Sequence, residues 1–324
     1  MADAAPDGGR VVALAGGVGG AKLADGLQAL LGDRLTVVVN TADDLERHGL
    51  LVMPDHDTVM YTLAGIANRE WGWGIEGETF AAAEMLARYG EPTWFRLGDR
   101  DLATHVVRTS RLREGRRLGE VCVGLQRSLG VTATILPMSD DPVRTEVRTD
   151  DGWLEFQDYF VGRHQEPEVH EVRFRGVDLA GAAAGVVEAI AAAEAVVIAP
   201  SNPIVSIAPI LALSEIADAL TAARMRGARV VAVSGIVGGR ALKGPADRML
   251  ASLGHESSAL GVARLLAETA TDFVVDRVDA GLAPAIEELG LRAHVTDTIM
   301  TDDVARARLA RECLAIAGVA VPAS

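Results

Sequence analysis

Val11-Val12-Ala13-Leu14-Ala15-Gly16-Gly17-Val18-Gly19-Gly20-Ala21-Lys22 is the stretch that decides the fold. The apolar run Val11–Ala15 reads as a fully buried strand, and Ala21–Leu31, with apolar residues at helical spacing, reads as the helix that follows. A second apolar run, Leu35–Val39, completes a β-α-β unit of a parallel sheet with a right-handed crossover. Between strand and helix, Gly17, Gly19 and Gly20 let backbone N–H groups come close to an anion, while the helix turns its positive end toward the same place and Lys22 adds a charge. Phosphate binding is one use of such a loop; a tight strand-to-helix turn without a ligand is the other. A Walker A motif is excluded, because Leu23 follows Lys22 where Ser or Thr belongs.

The same rhythm returns late in the chain. Ala195–Ala199 opens into Pro200-Ser201-Asn202-Pro203, and Arg229–Ser234 opens into the loop Gly235–Pro245. Phe273–Val275 and Ala293–Val295 read as further strands, followed by a C-terminal helix ending near Gly318. Ligands of such sheets bind beyond the carboxyl ends of the strands. In the middle the texture changes: Glu146–Arg148 and Trp153–Tyr159 flank an Asp150-Asp151-Gly152 turn, Val169–Arg175 alternates like a half-exposed strand, and Leu179–Ala195 is alanine-rich and helical. The expected fold is therefore α/β, a Rossmann-like, mostly parallel sheet with helices on both faces. Residues 10–110 and 177–324 form the core, 111–176 an inserted smaller α+β subdomain, and 1–9 a flexible N-terminus.

Composition narrows the function. Of 324 residues 49% are hydrophobic and 23% charged, and no apolar run approaches the ~20 residues of a membrane span. The acidic N-terminus lacks the basic start and apolar stretch of a secretion signal, so a cytoplasmic protein with no membrane partner is expected. A formal charge of −14 repels a phosphate backbone, which argues against nucleic acid. Cys122 and Cys313, far apart and without metal-ligand spacing, read as buried thiols.

Acids and bases cluster at the loops. The tip of the second strand carries Asn40 where a nicotinamide dinucleotide site expects an acid, so NAD is disfavoured. Asp43 and Asp44 follow, and Met53-Pro54-Asp55-His56-Asp57-Thr58 leads into a helix beginning near Thr58. Carboxylates beside phosphates suit Mg²⁺, with Asp43 and Asp57 as the metal ligands; helix capping is the competing use. Asp55 and Thr58 stand beside them as ligand contacts. In Arg96-Leu97-Gly98-Asp99-Arg100-Asp101, with His105 a turn later, an arginine oriented by acids would take a phosphate or carboxylate, or the group is surface ion pairing. Ser201 and Asn202 offer donors at a strand end, and Lys243 sits in a second basic, glycine-containing loop. Trp71-Gly72-Trp73-Gly74 is either a stacking surface for a flat ligand or a pair of half-buried loop aromatics.

Taken in order, Gly16–Lys22, Asn40–Asp44, Pro54–Tyr61, Leu97–His105, Ala199–Pro209 and Gly244-Pro245-Ala246 resemble the 2-phospholactate transferase family of deazaflavin-coenzyme (factor 420) biosynthesis, including its actinobacterial phosphoenolpyruvate transferases. The resemblance implies a Mg²⁺-dependent transferase that moves a phospho-three-carbon acid from a GDP-activated donor to 7,8-didemethyl-8-hydroxy-5-deazariboflavin, with release of GMP. It also implies a homodimer, with Asp57 and Arg100 catalytic, Asp43 and Asp57 on the metal, and Ser201 and Asn202 in a ligand loop. Phospholactate, phosphoenolpyruvate and phosphoglycerate all fit as the acid. The alternative is a non-catalytic nucleotide-sugar-binding regulator with a similar glycine-rich start.

Overall fold

The structure, a computed structural model, describes residues 9–321. All but the last residue of the expected flexible segment 1–9 falls outside the described residues. The chain opens with β1 (Arg10–Ala15), α1 (Val18–Leu31), β2 (Leu35–Val39), the short hairpin β3 (Leu45–Arg47) and β4 (Leu50–Val52), then α2 (Pro54–Leu63), α3 (Ala81–Arg88), α4 (Asp99–Arg113) and α5 (Leu118–Ser128). It continues through β5 (Thr134–Pro137), β6 (Arg144–Thr149), β7 (Gly152–Glu155), β8 (Glu171–Arg175), α6 (Val186–Ala192), β9 (Ala193–Ile198), α7 (Ala208–Leu211) and α8 (Ser214–Met225). The last part runs β10 (Arg229–Val233), β11 (Ile236–Val237), β12 (Arg240–Ala241), α9 (Ala246–Ser252), α10 (Ala259–Leu266), β13 (Asp272–Asp276), α11 (Ala283–Glu287), β14 (Arg292–Thr296) and α12 (Asp303–Ala317).

Seven strands form one sheet in the order β14-β13-β10-β9-β1-β2-β5, every neighbouring pair parallel. From β1 the chain first builds outward through β2 to β5, then returns to the other side at β9. The strand order therefore reverses between β1 and β9, which is where open α/β sheets form their ligand crevice. Alternate side chains of the strands feed two cores. Val12, Leu14, Val196 and Ile198 face one layer with α6 and α8, while Val11, Ala13, Ala195 and Val197 face the other with α1, α2 and α12. Helix α1 lies tight on α12: a Cβ on Gly26 would stand 2.3 Å from the Arg306 carbonyl oxygen. Cys122 and Cys313 are buried free thiols, as expected, and burial pushes the Cys313 thiol up to about 12.

The antiparallel insertion is smaller than the sequence suggests. The edge strand β5, inside 111–176, belongs to the main sheet, and α5 packs beside it. What stands apart is the three-stranded sheet β7-β6-β8. Its hairpin turns at Gly152, whose φ of 101° suits a residue without a Cβ. The Thr145 N–H of β6 donates to the Ala42 carbonyl at 2.7 Å, fixing this small sheet to the loop after β2. The helix expected over Leu179–Ala195 is only Val186–Ala192, because Ala193 already starts β9. The helix expected near Thr58 starts at Pro54, whose fixed φ suits a first helical turn. Among the described residues no single helix is long and apolar enough to cross a membrane.

Candidate active site

At the reversal of strand order the loops after β1 and β9 touch. The Gly16 N–H donates to Ser201 Oγ at 3.0 Å, and a Cβ on Gly19 would lie 2.2 Å from the Pro200 carbonyl oxygen. Gly20 would meet Ser201 Oγ at 2.7 Å. The glycines thus let the loop lie directly on its neighbour, and no side chain caps α1 at Gly17, so its first-turn N–H groups keep the positive end of the helix available to an anion. Asn202 is a capping residue: its Oδ1 accepts from the N–H groups of Ile204 and Val205 at 2.9 and 3.3 Å.

Buried Asn40 ties the acid loop to this centre. Its Nδ2 donates to Asp55 Oδ2 at 3.0 Å and to the Val205 carbonyl at 3.2 Å, while its Oδ1 accepts from the Ala42 N–H at 2.9 Å. Asp55 stands at the first turn of α2 beside the glycine loop, where a Cβ on Gly17 would come within 2.9 Å of its Oδ1. Desolvation pushes its carboxyl up to about 6, against hydrogen bonds from Asn40, Gly17 and Ser206. Asp43 is buried, and that burial, followed by the charge of Asp55, raises it well above the ordinary carboxylate range. Asp43 Oδ1 and Asp44 Oδ1 are buried without a hydrogen-bond partner. Two repelling carboxylates, one with an orphaned oxygen, form a donor set suited to a hard divalent cation.

Asp57 faces elsewhere. Residues two apart on a helix do not share a face, so while Asp55 points to the glycine loop, Asp57 meets α4. Arg108 engages both of its oxygens, the Nη1–Oδ2 bond being 3.1 Å, and neither side chain reaches solvent to any extent. His105 Nδ1 lies 3.6 Å and His56 Nδ1 3.8 Å from the same carboxylate. Burial opposes ionisation of Asp57, but Arg108 first, with His56 and His105, holds it well below the usual carboxylate range. Of the two expected metal ligands, Asp43 neighbours Asp55 and Asp57 is engaged by Arg108. Atoms of Asp57, Asp101 and His105 lie within 4.8 Å of one another and could by geometry hold a metal, yet the Arg108 guanidinium already balances the charge there. His105 Nε2 lies 3.2 Å from Asp101, which also accepts from Tyr61 Oη at 2.8 Å.

The Leu97–His105 string supplies a junction of two helices. Asp99 accepts from Thr79 Oγ1 at 2.6 Å and from the N–H groups of Ala81 and Ala82 at 3.0 Å, and so caps α3. Glu78 returns the arrangement by accepting from the N–H groups of Arg100 and Asp101 at the start of α4. Exposed Arg100 donates to the Glu76 carbonyl at 2.8 Å, and Arg96 lies 3.5 Å over the Phe80 ring. Asp99, Arg100 and Arg96, read as substrate or catalytic groups, are thus engaged in holding segment 76–100 in shape. Thr58 is half-buried on α2.

Two lysines stand near the entrance to α1. Lys22 Nζ donates to the Met300 carbonyl at 3.1 Å and Lys243 Nζ to the Trp71 carbonyl at 3.2 Å. Burial, then the charges of Arg306 and Lys243, lower the Lys22 pKa. The turn at Gly72 rests on this group: a Cβ there would lie 2.5 Å from Lys243 Nζ and 3.3 Å from Val18 Cγ2. Sequence reasoning missed Arg108, Ser206 and Thr145; only the spacing of Arg108 one turn beyond His105 hinted at the first.

Comparison with known proteins agrees with this layout. A solved UPF0052-family protein from Bacillus halodurans shares the fold, with a TM-score of 0.63 at 15% identity over 94% of this chain and 99% of that one. The chain is 44% identical to a 2-phospho-L-lactate transferase from Methanosarcina acetivorans, over 90% of its own length and 94% of the relative. It is also 44% identical to a phosphoenolpyruvate transferase from Streptomyces griseus subsp. griseus, over 95% of this chain and 98% of that one. The profile described as 2-phospho-L-lactate transferase CofD matches residues 11–305, so the glycine loop, the acid loop and the β9 loop all lie within the matched region of a transferase that belongs to the CofD family.

Proposed function

We propose that this transferase moves a phospho-three-carbon acid from its GDP-activated form to 7,8-didemethyl-8-hydroxy-5-deazariboflavin and releases GMP, with Mg²⁺ as cofactor. The observation that carries the reading is the pair Asp43 and Asp55 beside an uncapped glycine loop at the switch point of the sheet. The donor's diphosphate lies along the first turn of α1, with Lys22 and Lys243 flanking it. Bound between Asp43 and Asp55, Mg²⁺ would neutralise diphosphate charge and polarise the phosphorus to be attacked. Asn40 keeps Asp55 aimed at the glycine loop, and Ser201 keeps the loop seated on β9.

The acceptor's ribityl hydroxyl attacks the phosphorus bearing the three-carbon acid, that atom's bond to the bridging oxygen breaks so that the oxygen leaves with GMP, and the hydroxyl proton passes to bulk water. Such transfers rest on positioning and charge neutralisation more than on a strong base. Asp57, held ionised by Arg108, is accordingly a positioning residue in this reading, and Arg100 secures the outer loop. Phospholactate, phosphoenolpyruvate and phosphoglycerate remain the candidate acids, in a cytoplasmic homodimer that acts on small molecules with neither nucleic acid nor membrane as partner.

Purified protein incubated with Mg²⁺, the deazariboflavin and each GDP-linked acid in turn is expected to yield GMP and the conjugated flavin by mass spectrometry. Absence of product with every donor overturns the transfer as written. Tight binding of a uridine nucleotide-sugar without turnover would place the chain among non-catalytic regulators. Sedimentation velocity tests the homodimer.

A further inference from the structure

Asp55 already lies on the glycine loop that an incoming diphosphate would use. Its Oδ1 stands 2.9 Å from the place of a Cβ on Gly17, and its Oδ2 2.9 Å from the same place on Gly16, so a side chain on either residue would displace the carboxylate. Its hydrogen bonds come from three elements. Asn40 Nδ2 donates at 3.0 Å from the acid loop, the Gly17 N–H from the glycine loop, and the Ser206 hydroxyl from the segment after β9. Asn40 is itself fixed on the Val205 carbonyl. The Gly17 N–H stands at the start of α1, whose first internal bond runs from the Ala21 N–H to the Gly17 carbonyl at 2.9 Å. The N–H groups of Val18, Gly19 and Gly20 precede that bond and, with Gly17, make up the positive end of the helix. A carboxylate there is stabilised by the same dipole and donors that would stabilise a phosphate. Asp55 is half-buried, within reach of a ligand arriving at the loop.

We propose that Asp55 is the resident anion of the glycine loop and thereby makes the site select a metal-complexed diphosphate over a free one. The inference rests on the transferase reading above and adds what chooses between the two forms of the donor. A free diphosphate meets a carboxylate of its own sign at the loop and competes with it for the Gly17 N–H. Once Asp55 shares its charge with a cation, the repulsion is gone and its hold on that N–H slackens, which frees the loop for phosphate. Asn40 and Ser206 keep the carboxylate beside the loop, so the exchange needs no movement of α2. By linkage, metal and nucleotide then strengthen each other's binding by the same factor.

The test uses the full chain and calorimetry with GDP as the probe, in EDTA and again with Mg²⁺. The parent is expected to bind GDP at least tenfold more tightly with Mg²⁺ than in EDTA. Asp55→Asn is expected to bind GDP in EDTA at least tenfold more tightly than the parent does, with less than threefold further gain from Mg²⁺; tenfold corresponds to about 1.4 kcal/mol. Asp43→Asn, which removes an equal charge that is not seated on the loop, is expected to stay within threefold of the parent in EDTA. Unchanged metal-free affinity in Asp55→Asn overturns the assignment. So does an equal gain in Asp43→Asn, which would mean general repulsion rather than occupation of the loop. The Gly17 amide gives a reading that needs no variant. At Mg²⁺ concentrations that raise the Tm of the parent, its NMR resonance is expected to shift while that of Gly26, further along α1, stays in place; an unmoved Gly17 resonance overturns the assignment as well. If the parent turns over with Mg²⁺ but fails these tests, the resident anion alone is wrong; if the tests succeed but no donor gives product, the transferase reading alone is wrong.

Discussion

Arg108 on α4 and Asp57 on α2 form a buried ion pair that joins the wall of the site to the helix carrying Asp55. Removing one partner of such a pair leaves a charge without compensation, at a cost of about 3–5 kcal/mol. Arg108→Met is therefore expected to lower the unfolding free energy obtained from urea titration by an amount in that range. Asp57→Asn is expected to destabilise as well and to reduce turnover through misplacement, leaving the shape of the kcat–pH curve unchanged. A lost acidic limb in that curve would restore Asp57 as a proton acceptor.

The Asp43 and Asp55 carboxylates repel each other, so cation and mutation act in opposite directions. Mg²⁺ is expected to raise the Tm of the parent, by up to about 2.7 kcal/mol in stability at one hundred times its Kd. In metal-free buffer Asp43→Asn is expected to be at least as stable as the parent, because a costly buried charge is gone. It gains nothing from Mg²⁺ and loses transfer at least ~100-fold, the scale of losing one electrostatic stabiliser. Thermal scans with and without Mg²⁺, beside an activity assay, check all four outcomes.

Two glycines of α1 separate packing from binding. A methyl at Gly19 meets the Pro200 carbonyl and one at Gly26 meets the Arg306 carbonyl, at 2.2 and 2.3 Å. Each Ala variant is expected to cost about 1–3 kcal/mol through forced backbone shifts. Gly19→Ala is expected also to weaken GDP binding at least tenfold, since it displaces the anion loop. Gly26→Ala should leave GDP affinity unchanged, which calorimetry would show.

A second charged centre lies at the opposite end of the sheet. Asp272, buried at the start of β13, takes bonds from Arg229, Arg292 and His294 at 2.8 Å each. Burial alone would raise its carboxyl, yet Arg292, His294, Thr271 and Arg229 together hold it well below the ordinary range. Its folded-state pKa being depressed, its stabilisation is complete above the unfolded value near 3.9 and is lost as pH falls below that toward the folded value. Asp272→Asn is expected to cost close to the lower end of ~3–5 kcal/mol at pH 7, since its arginines are partly exposed. The deficit relative to the parent should shrink below about pH 4, as urea titrations at several pH values would reveal.

Buried strands and the glycine loop were legible because long apolar runs ending in glycine admit few alternatives. The edge strand Thr134–Pro137 was not, since it is short and ends in proline, and its membership depends on pairing with β2 nearly a hundred residues earlier. The acids show the same limit more sharply. With α2 taken to begin near Thr58, Asp55 and Asp57 share a flexible approach and either can serve a metal. With the start at Pro54 both are helical, and helix phase sends one to the glycine loop and the other to Arg108. Arg108 itself sits in a helix rich in charge, where only packing against α2 reveals that it is fully enclosed.

The bond from Thr145 to the Ala42 carbonyl makes the acid loop lean on a part of the chain that has no role in the proposed chemistry. The small antiparallel sheet is thus a buttress: a change in β6, about a hundred residues from Asp43 in sequence, reaches the proposed cation site through one backbone bond.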